Sequence, residues 1–162
     1  MLNTRIDNPH GEAPISSMAF TPSENGLPLL ATASSASGEG QTIKLWRHTT
    51  FDAHIAASLP NGAWQCVSSF NYRNLGVKDL AFSSDGSLLA VAHTVNSSSG
   101  TGATLTLWDA SNGTMIKSMS AGSRVGSKVK KVSFVEGKEG TSLVLAGNAG
   151  SVVWDVLTCE GE

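Results

Sequence analysis

Apolar positions in this chain come in short runs bounded by clusters of Ser, Gly, Asn and Asp, the pattern of short β-strands joined by turns. The stretch 77–120, VKDLAFSSDGSLLAVAHTVNSSSGTGATLTLWDASNGTMIKSMS, shows the unit most clearly. VKDLAF (77–82) runs into Ser83-Ser84-Asp85-Gly86. An Asp-Gly pair between two apolar runs predicts a tight hairpin, because Gly accepts the positive φ such turns require. LLAVAH (88–93) is then the returning strand. Its apolar residues are consecutive, as in a strand buried on both faces between two neighbouring sheets. TLTLWD (104–109), closed by Ser111-Asn112-Gly113, is the third strand, and MIKSMS (115–120) the fourth. The Ser/Gly-rich segment 94–103 reads as a mobile loop and the first site of limited proteolysis.

The same frame recurs on both sides. ISSMAF (15–20), LLATASS (29–35) and TIKLWR (42–47) fill the first three strand positions upstream, and VKKVSF (129–134), SLVLAGN (142–148) and SVVWD (151–155) fill them downstream. Phe20 to Trp46 is 26 residues, Phe82 to Trp108 is 26, and Phe134 to Trp154 is 20. A repeated four-stranded meander whose third strand ends in Trp-Asp is the sequence form of a β-propeller blade. The predicted fold is therefore all-β, with about three blades of a larger propeller. An entry segment (1–14) is followed by blade one (15–73), blade two (77–120) and blade three (129–162), the last without its outer strand. Three blades do not close a propeller, which takes about four to eight. Apolar blade faces are therefore expected at both ends of the arc, and the chain is expected to be part of a longer one.

Within blade one the first hairpin falls at Glu24-Asn25-Gly26, the second loop is lengthened over 36–41, and 48–63 is an irregular connection leading to WQCVSSFNYR (64–73) as the outer strand. Alternation places Trp64, Cys66, Ser68 and Phe70 on one face of it. The expected framework residues are Phe20, Trp46, Trp64, Phe82, Asp85, Gly86, Trp108, Asp109, Phe134, Trp154 and Asp155, with Trp108 largely buried. Arg47 stands where the other repeats carry Asp.

Composition sharpens this picture in one respect: only 15% of residues are charged, while Gly (17) and Ser (23) are abundant, as many turns between many strands require. A net charge of −2 carries no general nucleic-acid signature. No apolar run approaches a membrane span, the N-terminal residues show no secretory h-region, and an intracellular location is expected. Cys66 and Cys159, far apart and in no ligand spacing, read as reduced, partly buried thiols. His10, His48, His54 and His93 are scattered. His48 and His54 share a loop with Asp52, yet a solvated loop explains them better than a metal site. Asp79, Asp85, Asp109 and Asp155 are turn and strand-end residues with no catalytic pairing. The run Gly122-Ser123-Arg124-Val125-Gly126-Ser127-Lys128 lacks the ending of a phosphate loop and precedes a strand. No catalytic, cofactor or metal site is predicted. One charged cluster stands out: Arg124, Lys128, Lys130 and Lys131, read either as a solvated strand edge or as a contact to RNA phosphate or an acidic partner.

The repeat resembles the WD repeat. A Gly-His pair often precedes the first strand there, its imidazole joining a Ser, a Trp and an Asp; His10-Gly11 is reversed and close to Ile15, so that role is not assigned. Trp64-Gln65-Cys66 before a Tyr72-containing strand, Phe82-Ser83-Ser84-Asp85-Gly86-Ser87-Leu88-Leu89-Ala90-Val91, Leu107-Trp108-Asp109, and Trp154 followed by Leu157-Thr158-Cys159 resemble the family of WD repeat-containing protein 75 and its fungal counterpart over about 60–160. This resemblance implies a non-catalytic scaffold of the t-UTP subcomplex of the small-subunit processome, nucleolar, with other t-UTP and processome proteins, pre-ribosomal RNA and small nucleolar RNP as partners. It further implies roles in pre-rRNA processing, small-subunit biogenesis and RNA polymerase I transcription. The alternatives are a WD adaptor elsewhere, such as a ubiquitin-ligase substrate receptor, and a propeller enzyme. Val77, Val129 and Ile15 at the inner strand starts offer an enzyme no polar groups.

Overall fold

A computed structural model describes residues 6, 9–21, 28–34, 41–48, 64–72, 76–97, 100–137 and 140–156. The expected hairpin at 24–26, most of the loops at 36–41 and 48–63, and Cys159 lie outside the described residues. Every regular element described is a β-strand. The first sheet is β1 (Ile15–Thr21), β2 (Leu29–Ser34), β3 (Gln41–His48) and β4 (Trp64–Tyr72), in that order and antiparallel. The second is β5 (Gly76–Phe82), β6 (Leu88–Ser97), β7 (Gly100–Asp109) and β8 (Met115–Gly122), again in chain order. β9 (Val129–Gly137), β10 (Gly140–Gly147) and β11 (Ser151–Asp155) form the third, three-stranded among the described residues.

The sheets stack face to face, and sequence explains why the middle one is buried twice over. Leu89, Ala90, Val91 and Ala92 of β6 are all fully buried. Leu89 and Val91 join Ala31, Ile43, Leu45 and Phe70 in a core between sheets one and two; Ala90 and Ala92 join Leu105, Leu143, Leu145 and Trp154 in a core between sheets two and three. The alanines let the backbones of facing sheets approach, and the leucines fill the gaps between them. The hairpin after β5 forms as its sequence requires. Gly86 has φ +71°, and Asp85 accepts from the Ser83 hydroxyl (2.6 Å) and the Ser87 amide (3.0 Å). These bonds, the Ser83 hydroxyl first, hold the Asp85 carboxyl below its ordinary pKa. Gly113, at φ +72°, closes the β7–β8 turn; a Cβ there would run into Ser68 Oγ and stand 3.0 Å from the Phe70 ring.

Several expectations change. Residues 94–97 and 100–103 extend the hairpin where a loop was expected: Thr94 pairs with Ala103, Val95 with Gly102, Asn96 with Thr101 and Ser97 with Gly100. The ladder runs on through a stretch whose composition alone suggests none, so its backbone is paired where early cleavage was expected. The outer strand β4 does not keep one face throughout. Leu45 pairs with Ser68 but Trp46 with Cys66, a bulge at Val67 that rotates the strand by one position. Phe70 therefore turns toward sheet two, while Trp64 lies edge-on to Phe20 on the far side of sheet one. That far face carries exposed apolar residues, Phe20 (55%) and Met18 (66%), so Phe20 is not a core anchor. Cys66 is exposed, not partly buried. Trp108 is partly buried against the core between sheets one and two, as expected of it, its ring stacked on Phe70 at 4.7 Å between centroids.

Asp79 is not a turn residue. It lies within β5, the first strand of the middle sheet, where the first strands of all three sheets are neighbours. Its carboxylate accepts from the Val132 amide (2.8 Å) and the Ser17 hydroxyl (3.4 Å) and pairs with Lys131 (3.2 Å). One side chain thus links all three sheets. Because the Lys131 side chain is 68% exposed, its charge pairing adds little; the amide bond carries most of the effect. Asp79→Ala is expected to cost about 2–3 kcal/mol, since it strips a part-buried N–H of a charged acceptor. Urea titration checks this, and Asp79→Asn, which keeps an acceptor, should recover part of the loss.

Candidate functional site

Two tryptophans anchor hydrogen-bonded chains of the same chemistry built from different strands. In sheet one the Trp46 indole donates to Thr32 Oγ1 (2.9 Å), which also meets His10 Nε2 at 2.8 Å. His10 thus takes the structural role that its reversed dipeptide had argued against: the segment before β1 folds back over β2, and order within the dipeptide matters less than where the ring lands. Burial first, then the nearby Lys44 ammonium, lower its pKa. In sheet two the Trp108 indole donates to Thr106 Oγ1 (2.9 Å), which meets His93 Nε2 at 3.2 Å. His93 is fully buried. Burial pushes its pKa down to about 4. Sequence reasoning missed both sets. Thr106, two residues before Trp108 and so on its face of the strand, was the available signal; Thr32, diagonal to Trp46 across a register in which Leu30 opposes the indole, needed the pairing.

Asp109 binds the Ser111 amide (2.7 Å) and hydroxyl (2.6 Å), which lower its pKa, the hydroxyl foremost. It shapes the β7–β8 turn. Asp155 is exposed at the end of β11, and Phe82 and Phe134 are partly buried against the two cores. Trp154 is buried. Among the described residues no group of three or more His, Cys, Asp or Glu is placed to hold a metal. Asp52 and His54 lie outside them.

The basic cluster divides. Lys131 is engaged with Asp79, whereas Arg124, Lys128 and Lys130 are exposed and in no ion pair among the described residues. Arg124 and Lys128 sit on the β8–β9 turn, which is laced to the β10–β11 turn. The Ala149 amide donates to Val125 O (3.1 Å), the Asn148 amide to Lys128 O (3.1 Å), and the Lys128 amide to Asn148 Oδ1 (3.0 Å). Val125, fully buried, pins the turn to the core between sheets two and three. Beside it opens a cavity of about 440 Å³, lined by Ser120, Gly122, Ser123, Arg124, Val152 and Trp154.

Stacked antiparallel meanders with neighbouring first strands and a tryptophan near the end of each third strand define blades of a WD-repeat β-propeller. The family model for the second β-propeller of WD repeat-containing protein 75 matches residues 1–162, and the chain belongs to that family. WD repeat-containing protein 75 of Danio rerio is 39% identical over 92 residues, which cover 57% of this chain and 10% of the relative. The chain thus matches a tenth of that protein's length. Among solved structures, a mutant of the Synechocystis apocarotenoid oxygenase superposes with a TM-score of 0.57 at 12% identity, over 93% of this chain and 38% of that one. At that identity the likeness is one of fold alone.

Proposed function

We propose that the chain is a propeller portion of a non-catalytic scaffold of the nucleolar small-subunit processome. In this reading it acts in pre-rRNA processing, small-subunit biogenesis and RNA polymerase I transcription, alongside other t-UTP and processome proteins, pre-ribosomal RNA and small nucleolar RNP. The observation that carries the reading is the family match across the whole chain. The architecture is compatible with it: rigid stacked sheets present turns at two rims to several partners at once. The test is to tag the protein in cells, locate it, and identify the proteins and RNA that co-purify. Nucleolar signal, t-UTP proteins and the 5′ region of pre-ribosomal RNA are the expected result. A cytoplasmic protein bound to ubiquitin-ligase subunits, with no pre-ribosomal RNA, would overturn it in favour of a WD adaptor elsewhere.

A further inference from the structure

Residues 110–135 contain Lys117, Arg124, Lys128, Lys130 and Lys131, five of the chain's eleven basic residues, and none of its thirteen acidic ones. Lys131 is held by Asp79, so in a chain of net charge −2 it is the exposed Arg124, Lys128 and Lys130, in no ion pair among the described residues, that leave a local positive patch. The fold places its centre, the β8–β9 turn, on a support that holds it still: Val125 buried beneath, and three hydrogen bonds tying the turn to residues 148–149. It also places a cavity next to the turn, with Arg124 and the serines 120 and 123 in its lining and no carboxylate among them.

We propose that this turn and cavity bind the phosphate backbone of single-stranded RNA, a deepening that rests on the RNA-associated reading above. Arg124 and the two serine hydroxyls hold a phosphate at the cavity, and Lys128 and Lys130 meet further phosphates. The chemistry favours this ligand over an acidic peptide for two reasons. A guanidinium with adjacent hydroxyls offers several donors to one tetrahedral phosphate, a geometry that Arg serves well. About 440 Å³ lies within the usual size of small-ligand pockets, roughly 300–1,000 Å³, which is room for one nucleotide unit. A peptide carboxylate reaching exposed lysines would need no cavity.

The experiment is fluorescence anisotropy of a fluorescein-labelled 12-nucleotide oligouridine titrated with the 162-residue chain at several salt concentrations, with labelled polyglutamate as the competing anion. Arg124→Ala and Lys128→Ala are each expected to weaken oligouridine binding by about 3–10-fold and to lower the slope of log K against log salt by about 0.7. Both side chains are exposed, and circular dichroism confirms that the variants fold. Ser120→Leu, which narrows the cavity without removing charge, should weaken binding with the slope unchanged. No binding of oligouridine, wild-type affinity in Arg124→Ala, or polyglutamate bound as tightly as RNA would each overturn the proposal. The two readings fail separately. If oligouridine binding is absent while the tagged protein still co-purifies with pre-ribosomal RNA, this site is wrong and the scaffold reading stands. If the chain binds oligouridine as described while the tagged protein is cytoplasmic and free of pre-ribosomal RNA, the site stands and the scaffold reading falls.

Discussion

Trp46→Ala is expected to lower the unfolding free energy by about 3–5 kcal/mol, the usual range for truncating a buried aromatic. The residue is 3% exposed, with the Lys44 ammonium 5.9 Å from the ring centroid. Its indole also supplies a hydrogen bond to Thr32, whose hydroxyl meets His10. Truncation therefore removes apolar burial and breaks the chain that docks the segment before β1. Thermal denaturation should register a fall in midpoint of about 10 °C, at roughly 2–4 °C per kcal/mol for a chain of this size. Trp46→Phe separates the two contributions. It keeps most of the ring area and loses the indole donor, so it should cost about 1 kcal/mol. A Trp46→Ala variant less than 1 kcal/mol weaker than wild type would show that sheet one does not depend on this packing.

Acidification should produce the second large effect. His93 is fully buried, with a pKa lowered by burial to about 4 against an ordinary value of 6.5. The unfolded chain takes up a proton below pH 6.5, whereas the folded chain takes one up only near pH 4. Stability is thus fully present above pH 6.5, falls as pH drops through the window from 6.5 to about 4, and changes no further on this account below it. Over that window the loss is about 3 kcal/mol, at about 1.4 kcal/mol per pH unit. His10, whose pKa is also lowered, adds a loss of the same sign. Asp85 and Asp109, held below their ordinary carboxylate values, lose their contribution at lower pH still. Urea unfolding followed by tryptophan fluorescence at pH 7 and pH 4.5 measures the difference. His93→Leu should flatten most of it, and an unchanged pH dependence in that variant would remove His93 as its source.

Local pattern and composition determined the class of this fold. Consecutive apolar residues at 88–92 required a strand buried on both faces, Asp85-Gly86 required a hairpin, and Phe-to-Trp spacings of 26 residues required a repeat. Each is a property of neighbours along the chain or of a period, and each is written into the residues directly. Tertiary structure decided what depends on which strands face one another. Whether 94–103 is a loop or a ladder turned on β6 and β7 staying in register, an interaction that Ser and Gly neither forbid nor announce. Phe20 fits a strand as well as Leu30 does, but only the stacking order shows that it stands exposed on the side of sheet one away from sheet two. A bulge at Val67 sends Trp64 and Phe70 to opposite sides, which strict alternation cannot foresee. Asp79 and Lys131 lie 52 positions apart, and His93 meets Thr106 across a strand pair; sequence distance carries no information about such contacts. The basic cluster was legible as charge. Its division into Lys131, tied to Asp79, and Arg124, Lys128 and Lys130, in no ion pair among the described residues, was made by packing. A cation's partner is set by which side chains share its few ångströms of space, and that is known only once the sheets are stacked.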